Sequence, residues 1–222
     1  MDPFDEESSV TDSTSGRCEG TCEQVIRDGL DGLEVLIEHP RGSPRRADVE
    51  AFIRDEFRRF FGATIAEFMP SLVALHGPDG ELRAAAGYRG AESGKLFLEM
   101  YTRRPIEGVI AERLGVDVPR AQIVEVGSLV SRGGRAAMDI IRALVPALIR
   151  AGFTWVVFTG ANTVRNVFQR LDLAPFALCA ADKTLLGEAQ HAWGTYYDHH
   201  PIVMTGRIAD GMHVVPTVAG VQ

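Results

Sequence analysis

The chain has few cysteines, no long apolar run and, once its first residues are set aside, almost no net charge. Three cysteines in 222 residues, an odd number, argue against a disulfide framework. Cys18 and Cys22 stand as C-x3-C without a second pair or nearby histidines, which disfavours zinc, and Cys179 lies alone in an apolar stretch. No stretch reaches the roughly 18 apolar residues that a membrane span needs. A basic start followed by an apolar run, the mark of a secretory signal, is missing too, so the expected location is cytoplasmic. The formal charge is −7, but seven acids against Arg17 put −6 of it in the first 24 residues. The body that remains is nearly neutral and offers no bulk attraction to nucleic acid or anionic membrane. No internal repeat is evident.

What is present divides into a polar, acidic leader, expected over residues 1–28, and one domain over 29–222. Leu33–Glu38 predicts a first strand. Ser43-Pro44 has the form of an N-cap with a proline at the first helical position. Along the helix so opened, Val49, Phe52, Ile53, Phe57, Phe60 and Phe61 recur at helical spacing, and Gly62 ends it. Such an aromatic stripe reads as core, with an acyl pocket as the alternative. Residues 71–76 and 81–89 are apolar runs joined by Gly-Pro-Asp-Gly, which predicts a hairpin. Lys95–Tyr101 reads as another strand. Pro105 opens a helix with Ile106, Val109, Ile110 and Leu114 on one face, closed by Gly115.

The second half is the more informative. A strand over 123–130 runs into a glycine-rich turn, then a helix over 136–151 that Pro146 should kink. Trp155–Phe158 is a short continuous apolar run, as expected of a strand covered on both faces, and another helix comes after it. Strands alternating with helices after a meander indicate α/β (α+β) architecture with one mixed sheet. The turn offers Ser131, Arg132, Gly133, Gly134, Arg135 and Ala136, which combine small residues, open backbone and two cations. A strand feeding such a turn into a helix start can cradle a phosphate, because free N–H groups and the helix dipole point at it.

This order of elements resembles the GNAT acyltransferase superfamily and, within it, the thermostable hemolysin family, which is related to the acyl-homoserine lactone (autoinducer) synthases. The stretches carrying the resemblance are KLFLEMYTRRPIEGVI (95–110), IVEVGSLVS (123–131), WVVFTGANTVRNVFQRLDLAP (155–175), AADKTLL (180–186) and WGTYYDHHPIVM (193–204). The resemblance implies a GNAT-like central sheet flanked by helices, opened beside the turn. It implies acyl-coenzyme A or an acyl-carrier protein as donor, and a small-molecule amine as acceptor. A homodimer is compatible with it, and no metal is expected. The superfamily's pyrophosphate turn, Gln/Arg-x-x-Gly-x-Gly/Ala, is matched by Ser131-x-x-Gly134-x-Ala136, with Ser in place of the charged or amide residue. The lactone synthases' Glu-x-x-Arg appears as Glu125-x-x-Ser128. The tyrosine that many GNAT enzymes use as general acid is absent from the stretch at Phe168.

The candidate donor site is therefore Leu129, Val130, Ser131, Arg132, Gly133, Gly134, Arg135, Ala136 and Asn162, with backbone N–H groups near Leu129 and Val130 polarising the thioester carbonyl. Glu125, on an apolar strand that would dry it, is the candidate base or amine-binding carboxylate. Glu99 and Tyr101 are the further catalytic candidates, and Tyr196 and Tyr197 are possible acid or pocket residues. His199 and His200 are adjacent; on a strand they would point to opposite faces, which disfavours a shared metal. Two other classes stand beside the enzyme: a membrane-active protein, as the family label suggests, and a non-catalytic acyl-thioester binder.

Overall fold

The computed structural model describes residues 24–26 and 35–215. Cys18, Cys22 and most of the expected leader lie outside them. Three residues of that leader do not: Gln24–Ile26 form β1 and pair antiparallel with β2 (Val35–Pro40), Gln24 opposite Glu38, so the sheet starts ahead of the expected 28/29 boundary. The sheet continues through β3 (Ser71–His76), β4 (Leu82–Gly90), β5 (Ile123–Ser131), β6 (Trp155–Gly160), β7 (Phe176–Ala180) and β8 (Ile202–Arg207). Its eight strands lie in the order β1-β2-β3-β4-β5-β6-β8-β7, and every neighbouring pair is antiparallel except β5 and β6.

Both faces of the sheet are covered, and the strands show why. In β3, Leu72 and Ala74 meet Val49, Phe52 and Ile53 of helix α1 (Arg46–Phe61) on one face. Val73 and Leu75 of the same strand meet Ala136, Ile140 and Leu144 of helix α4 (Gly134–Arg150) on the other. A strand dry on both sides reads as an unbroken apolar run rather than an alternation. The α1 face also carries helices α2 (Glu99–Thr102) and α3 (Ile106–Leu114), whose Ile106 and Ile110 pack with Ile123, Trp155, Val157 and Val203. Helix α5 (Asn162–Arg170) lies on the α4 face, where Phe168 stacks on Phe158 of β6 at 4.9 Å.

The aromatic stripe of α1 is divided. Val49, Phe52, Ile53 and Phe57 are buried, whereas Phe60 is 55% exposed. Its helix begins at Arg46 rather than at Ser43-Pro44, with Arg45 at the cap position and no side-chain cap. The Arg46 side chain accounts for the later start: its guanidinium donates to the carbonyls of His39, Met69 and Pro70 and ties the first turn to the strand ends. The expected strand at Lys95–Tyr101 does not form; the segment turns into α2. Its N–H groups are taken by carboxylates instead of a neighbouring strand, Leu96 donating to Glu99 and Phe97 and Leu98 donating to Glu125. Pro146 sits inside α4, which continues past it to Arg150. Tyr196–His199 is a 3-10 turn, not a strand, so the opposite-face argument for the histidines does not apply. The His199 ring packs against Phe61, and among the described residues no group of three or more His, Cys, Asp and Glu side chains is placed to hold a metal.

The segment 183–199 is fastened to the end of α1. Thr64 N–H donates to Ala192 O at 2.6 Å and Thr195 N–H donates to Phe61 O at 2.8 Å. Between them Gly194 has φ +51, and a Cβ there would fall 2.0 Å from Phe61 O. Gly194→Ala therefore combines a steric clash with backbone strain and is expected to cost about 3 kcal/mol. Gly62→Ala, at φ +64 with nothing within 4 Å of a new Cβ, carries only the left-handed penalty of about 1–2 kcal/mol. Urea unfolding of the two variants measures the difference, and equal losses would show that the contact with α1 does not matter.

Candidate active site

The parallel pairing of β5 with β6 runs from Ile123–Trp155 to Val126–Phe158 and stops, although β5 continues to Ser131 and β6 to Gly160. Beyond that point β5 stays with β4 and β6 stays with β8, so the sheet splits. The β5 side of the split carries a bulge. Gly127 pairs with Gly87 and Val130 with Ala85, so Ser128 and Leu129 together stand opposite Ala86. Ser128 accommodates the extra residue with φ +52, unusual for a side-chain-bearing residue. A bulge removes backbone groups from the ladder and re-aims the residues after it.

A cavity of about 180 Å³ occupies the split. On the α4 face Ile141, Leu144 and Phe168 line it, and on the α1 face Phe57, Phe61 and Tyr196 do, so it passes through the plane of the sheet. Gly127, Ser128, Leu129, Thr159 and Ala161 form the waist. The lining is mostly apolar, and its charged members, Arg207 and Asp210, come from the end of β8 and the turn after it. Of the α1 stripe, Phe57 and Phe61 face this cavity, while Val49, Phe52 and Ile53 are core and Phe60 is surface.

At the far end of β5 the turn has the form of an open helix start. Gly133 takes φ 101, ψ 162, and no side chain caps α4. Ala137 N–H is bonded to Gly133 O, which leaves the N–H groups of Gly134, Arg135 and Ala136 ahead of the first bonded one. The two cations expected to serve this turn are drawn elsewhere. Arg132 lies over the Phe52 ring and 3.4 Å from Glu56, and Arg135 lies 3.5 Å from Asp139, one helical turn on. Arg132 N–H donates to Arg83 O, and Ser131 Oγ donates to Gly133 O. The cation that does reach the turn is Arg170, at the end of α5: a Cβ on Gly134 would lie 3.4 Å from its Nη1. Its only sequence signal is a basic residue in the last turn of a helix, which is too common to single it out. Asn162 opens α5, but its side-chain oxygen accepts from Arg165 and does not border the cavity.

The three expected catalytic side chains are also outside the cavity lining. Glu125 is 3% exposed and accepts from Arg89 Nη2 at 2.9 Å, Phe97 N–H at 3.0 Å and Leu98 N–H at 2.9 Å. With those donors in place the carboxylate clamps β4, β5 and the 95–102 segment together. Glu99 is a second clamp, accepting from Leu96 N–H, Ile106 N–H and both terminal nitrogens of Arg120. Burial by itself would raise the Glu99 carboxyl, but these hydrogen bonds outweigh it and hold it below its ordinary value. Tyr101 is buried, and its hydroxyl is hydrogen-bonded to that of Tyr197. Burial and that partner raise the phenol of Tyr101, and burial pushes Tyr197 up to about 12, so both keep their protons at neutral pH.

The profile of the thermostable hemolysin family matches residues 39–212. The chain belongs to this family. Among curated proteins no significant sequence relative was found. Solved structures supply fold relatives of this chain. FeeM, an N-acyl amino acid synthase from uncultured soil microbes, superposes with a TM-score of 0.56 at 10% identity, over 82% of this chain and 95% of that one. The AHL synthase LasI gives 0.55 at 9% identity over 84% and 98%. A putative arylalkylamine N-acetyltransferase from the yellow fever mosquito gives 0.53 at 12% over 86% and 98%. At such identities the likeness is one of fold, and it establishes the GNAT-like sheet expected from the sequence. Among the described residues no helix is long and apolar enough to cross a membrane.

The Glu99 clamp sets an acid limit. Its folded carboxyl titrates below the ordinary value of 4.5, so its stabilisation is complete above that value and is lost as pH falls through the folded one. Glu99→Gln removes the buried carboxylate that takes Leu96 N–H, Ile106 N–H and Arg120, while Arg120 keeps Glu107, and is expected to cost about 1–3 kcal/mol at neutral pH. The gap from the parent should narrow as pH drops from about 5 to about 3, as chemical unfolding at each pH will show. A constant gap would mean the carboxylate charge contributes nothing.

Proposed function

We propose that the chain is an N-acyltransferase that moves an acyl group from a phosphopantetheine thioester, carried by coenzyme A or an acyl-carrier protein, to a small-molecule amine. The observation that carries this reading is the split between β5 and β6, with its bulge at Ser128 and its apolar cavity through the sheet. A thin pantetheine arm can enter such a split and satisfy the strand edges that the two strands no longer offer each other. Backbone N–H groups at the bulge, that of Leu129 first, are the donors we assign to the thioester carbonyl oxygen. Such donors act on the charge that develops there as the amine attacks. The apolar lining receives the acyl chain and excludes water that would otherwise hydrolyse the thioester. The donor's phosphates belong at the α4 start, against the Gly134–Ala136 N–H groups and Arg170. Glu125 and Glu99 hold the scaffold beside the split and act through it.

Purified protein given octanoyl-coenzyme A or octanoyl carrier protein and a panel of primary amines should release free thiol and form the octanoyl amide in equal amounts. Thioester binding without turnover would make the chain a carrier of acyl groups instead. Arg170→Ala should weaken binding of the preferred donor by about tenfold, whereas Arg135→Ala, whose cation is held by Asp139, should change it little. Titration calorimetry with the unacylated carrier distinguishes them, and the reverse order would move the phosphate site along the turn.

A further inference from the structure

The position from which many GNAT enzymes supply a tyrosine acid is held here by Phe168, whose ring stacks on Phe158. A different tyrosine reaches the same cavity from the opposite face. Tyr196 lines the cavity beside Phe57 and Phe61, with ring centroids 6.3 and 5.2 Å away. Its hydroxyl donates to the carbonyl oxygen of Thr159 at 3.4 Å. Thr159 is the first β6 residue past Phe158, where pairing with β5 ends. The phenol therefore sits at the waist of the split, across from the Ser128 bulge. It is the one phenol among the described residues that borders the cavity, since Tyr88, Tyr101 and Tyr197 do not line it. The bond to Thr159 is long and its hold is weak, so the hydroxyl can turn to another acceptor.

We infer that Tyr196 is the catalytic acid of the acyl transfer, delivering a proton to the sulfur as the thioester's C–S bond breaks. The assignment rests on the acyl-transfer reading above. The neutral amine nitrogen attacks the carbonyl carbon, giving a tetrahedral adduct with a protonated nitrogen and an oxyanion. The oxyanion re-forms the carbonyl and the C–S bond breaks. The Tyr196 O–H proton passes to the departing sulfur, and the phenolate takes the surplus proton from the nitrogen. The products are the amide and a free thiol, and Tyr196 regains its starting state. Burial, reinforced by Tyr197, raises the Tyr196 phenol above its ordinary value, so the proton is present at every working pH. The nearby ring packing and the fastened Gly194–Thr195 turn hold the side chain in place, which makes Gly194 a positioning residue for it.

The test uses two donors that differ in one atom: S-octanoyl phosphopantetheine and its selenoester analogue, with hexylamine as acceptor. The arm is common to both carriers, and a selenolate, far less basic than a thiolate, leaves without needing a proton. Tyr196→Phe keeps the ring and loses one long hydrogen bond, so its melting temperature should match the parent's. Its kcat on the thioester should fall by about 10²–10⁴-fold with KM little changed, and on the selenoester by less than about tenfold. A loss of equal size on both donors, or no loss on the thioester, would overturn the assignment while leaving acyl transfer intact. A parent protein that acylates no amine from either donor overturns the acyl-transfer reading and the assignment with it. Gly194→Ala, read by the same ratio, should depress the thioester rate more than the selenoester rate if displacement of Tyr196 is its effect.

Discussion

The arrangement depends on one strand having two partners that part company. Strand β5 is bound antiparallel to β4 along its length, bulge apart, and parallel to β6 only as far as Val126. Strand β6 is meanwhile paired with β8 from Trp155 to Gly160. Each half of the sheet is thus complete on its outer side, and neither can close the gap without giving up an existing ladder. The opening is held by hydrogen bonds on both flanks rather than by whatever enters it. A gap of that kind suits an extended ligand with its own amide groups, because unpaired strand edges are costly when dry.

Two carboxylates keep the neighbourhood of the split from collapsing into an ordinary strand. Glu125 projects from β5 and takes the N–H groups of Phe97 and Leu98, while Arg89 from β4 balances its charge. Glu99 takes those of Leu96 and Ile106 and is balanced by Arg120, which also reaches Ala91 O, Gly94 O and Glu107. Both carboxylates are buried with each oxygen accepting at least one hydrogen bond, the condition under which burial is tolerated. Their product is geometric: a segment with the composition of a strand becomes a compact turn that supports Tyr101 and the aromatic cluster around Trp193, Tyr196 and Tyr197. Function and scaffold are joined here through packing, with the polar side chains holding and the cavity itself left apolar.

Much of the fold was legible in the chain because it rests on local signals. The hairpin at 71–90 comes from Gly-Pro-Asp-Gly, helix α3 from Pro105 and Gly115, and the strand–turn–helix–strand unit from apolar runs broken by Arg132-Gly133-Gly134. Where the reading and the structure part, a distant residue decides. KLFLEMY has the makings of a strand, but its N–H groups go to carboxylates, one of them from β5. The start of α1 is displaced by an arginine whose three carbonyl partners come from two other segments.

The candidate site shows the same division more sharply. The sequence by itself determined the glycine-rich helix start, the strand that leads into it and the apolar runs on either side, since each is a property of a few adjacent residues. It could not determine which charged or phenolic groups meet there. Arg132 and Arg135 sit in the turn but are held by Glu56 and Asp139, while Arg170 arrives from the far end of another helix. Glu125 lies beside the split in sequence yet is enclosed by Arg89 and two backbone donors, while Tyr196 reaches the waist from a turn fastened to α1. Apolar patterning is written locally because burial depends on one residue's own chemistry, whereas the availability of a polar group depends on its partners, and only the tertiary structure brings those together.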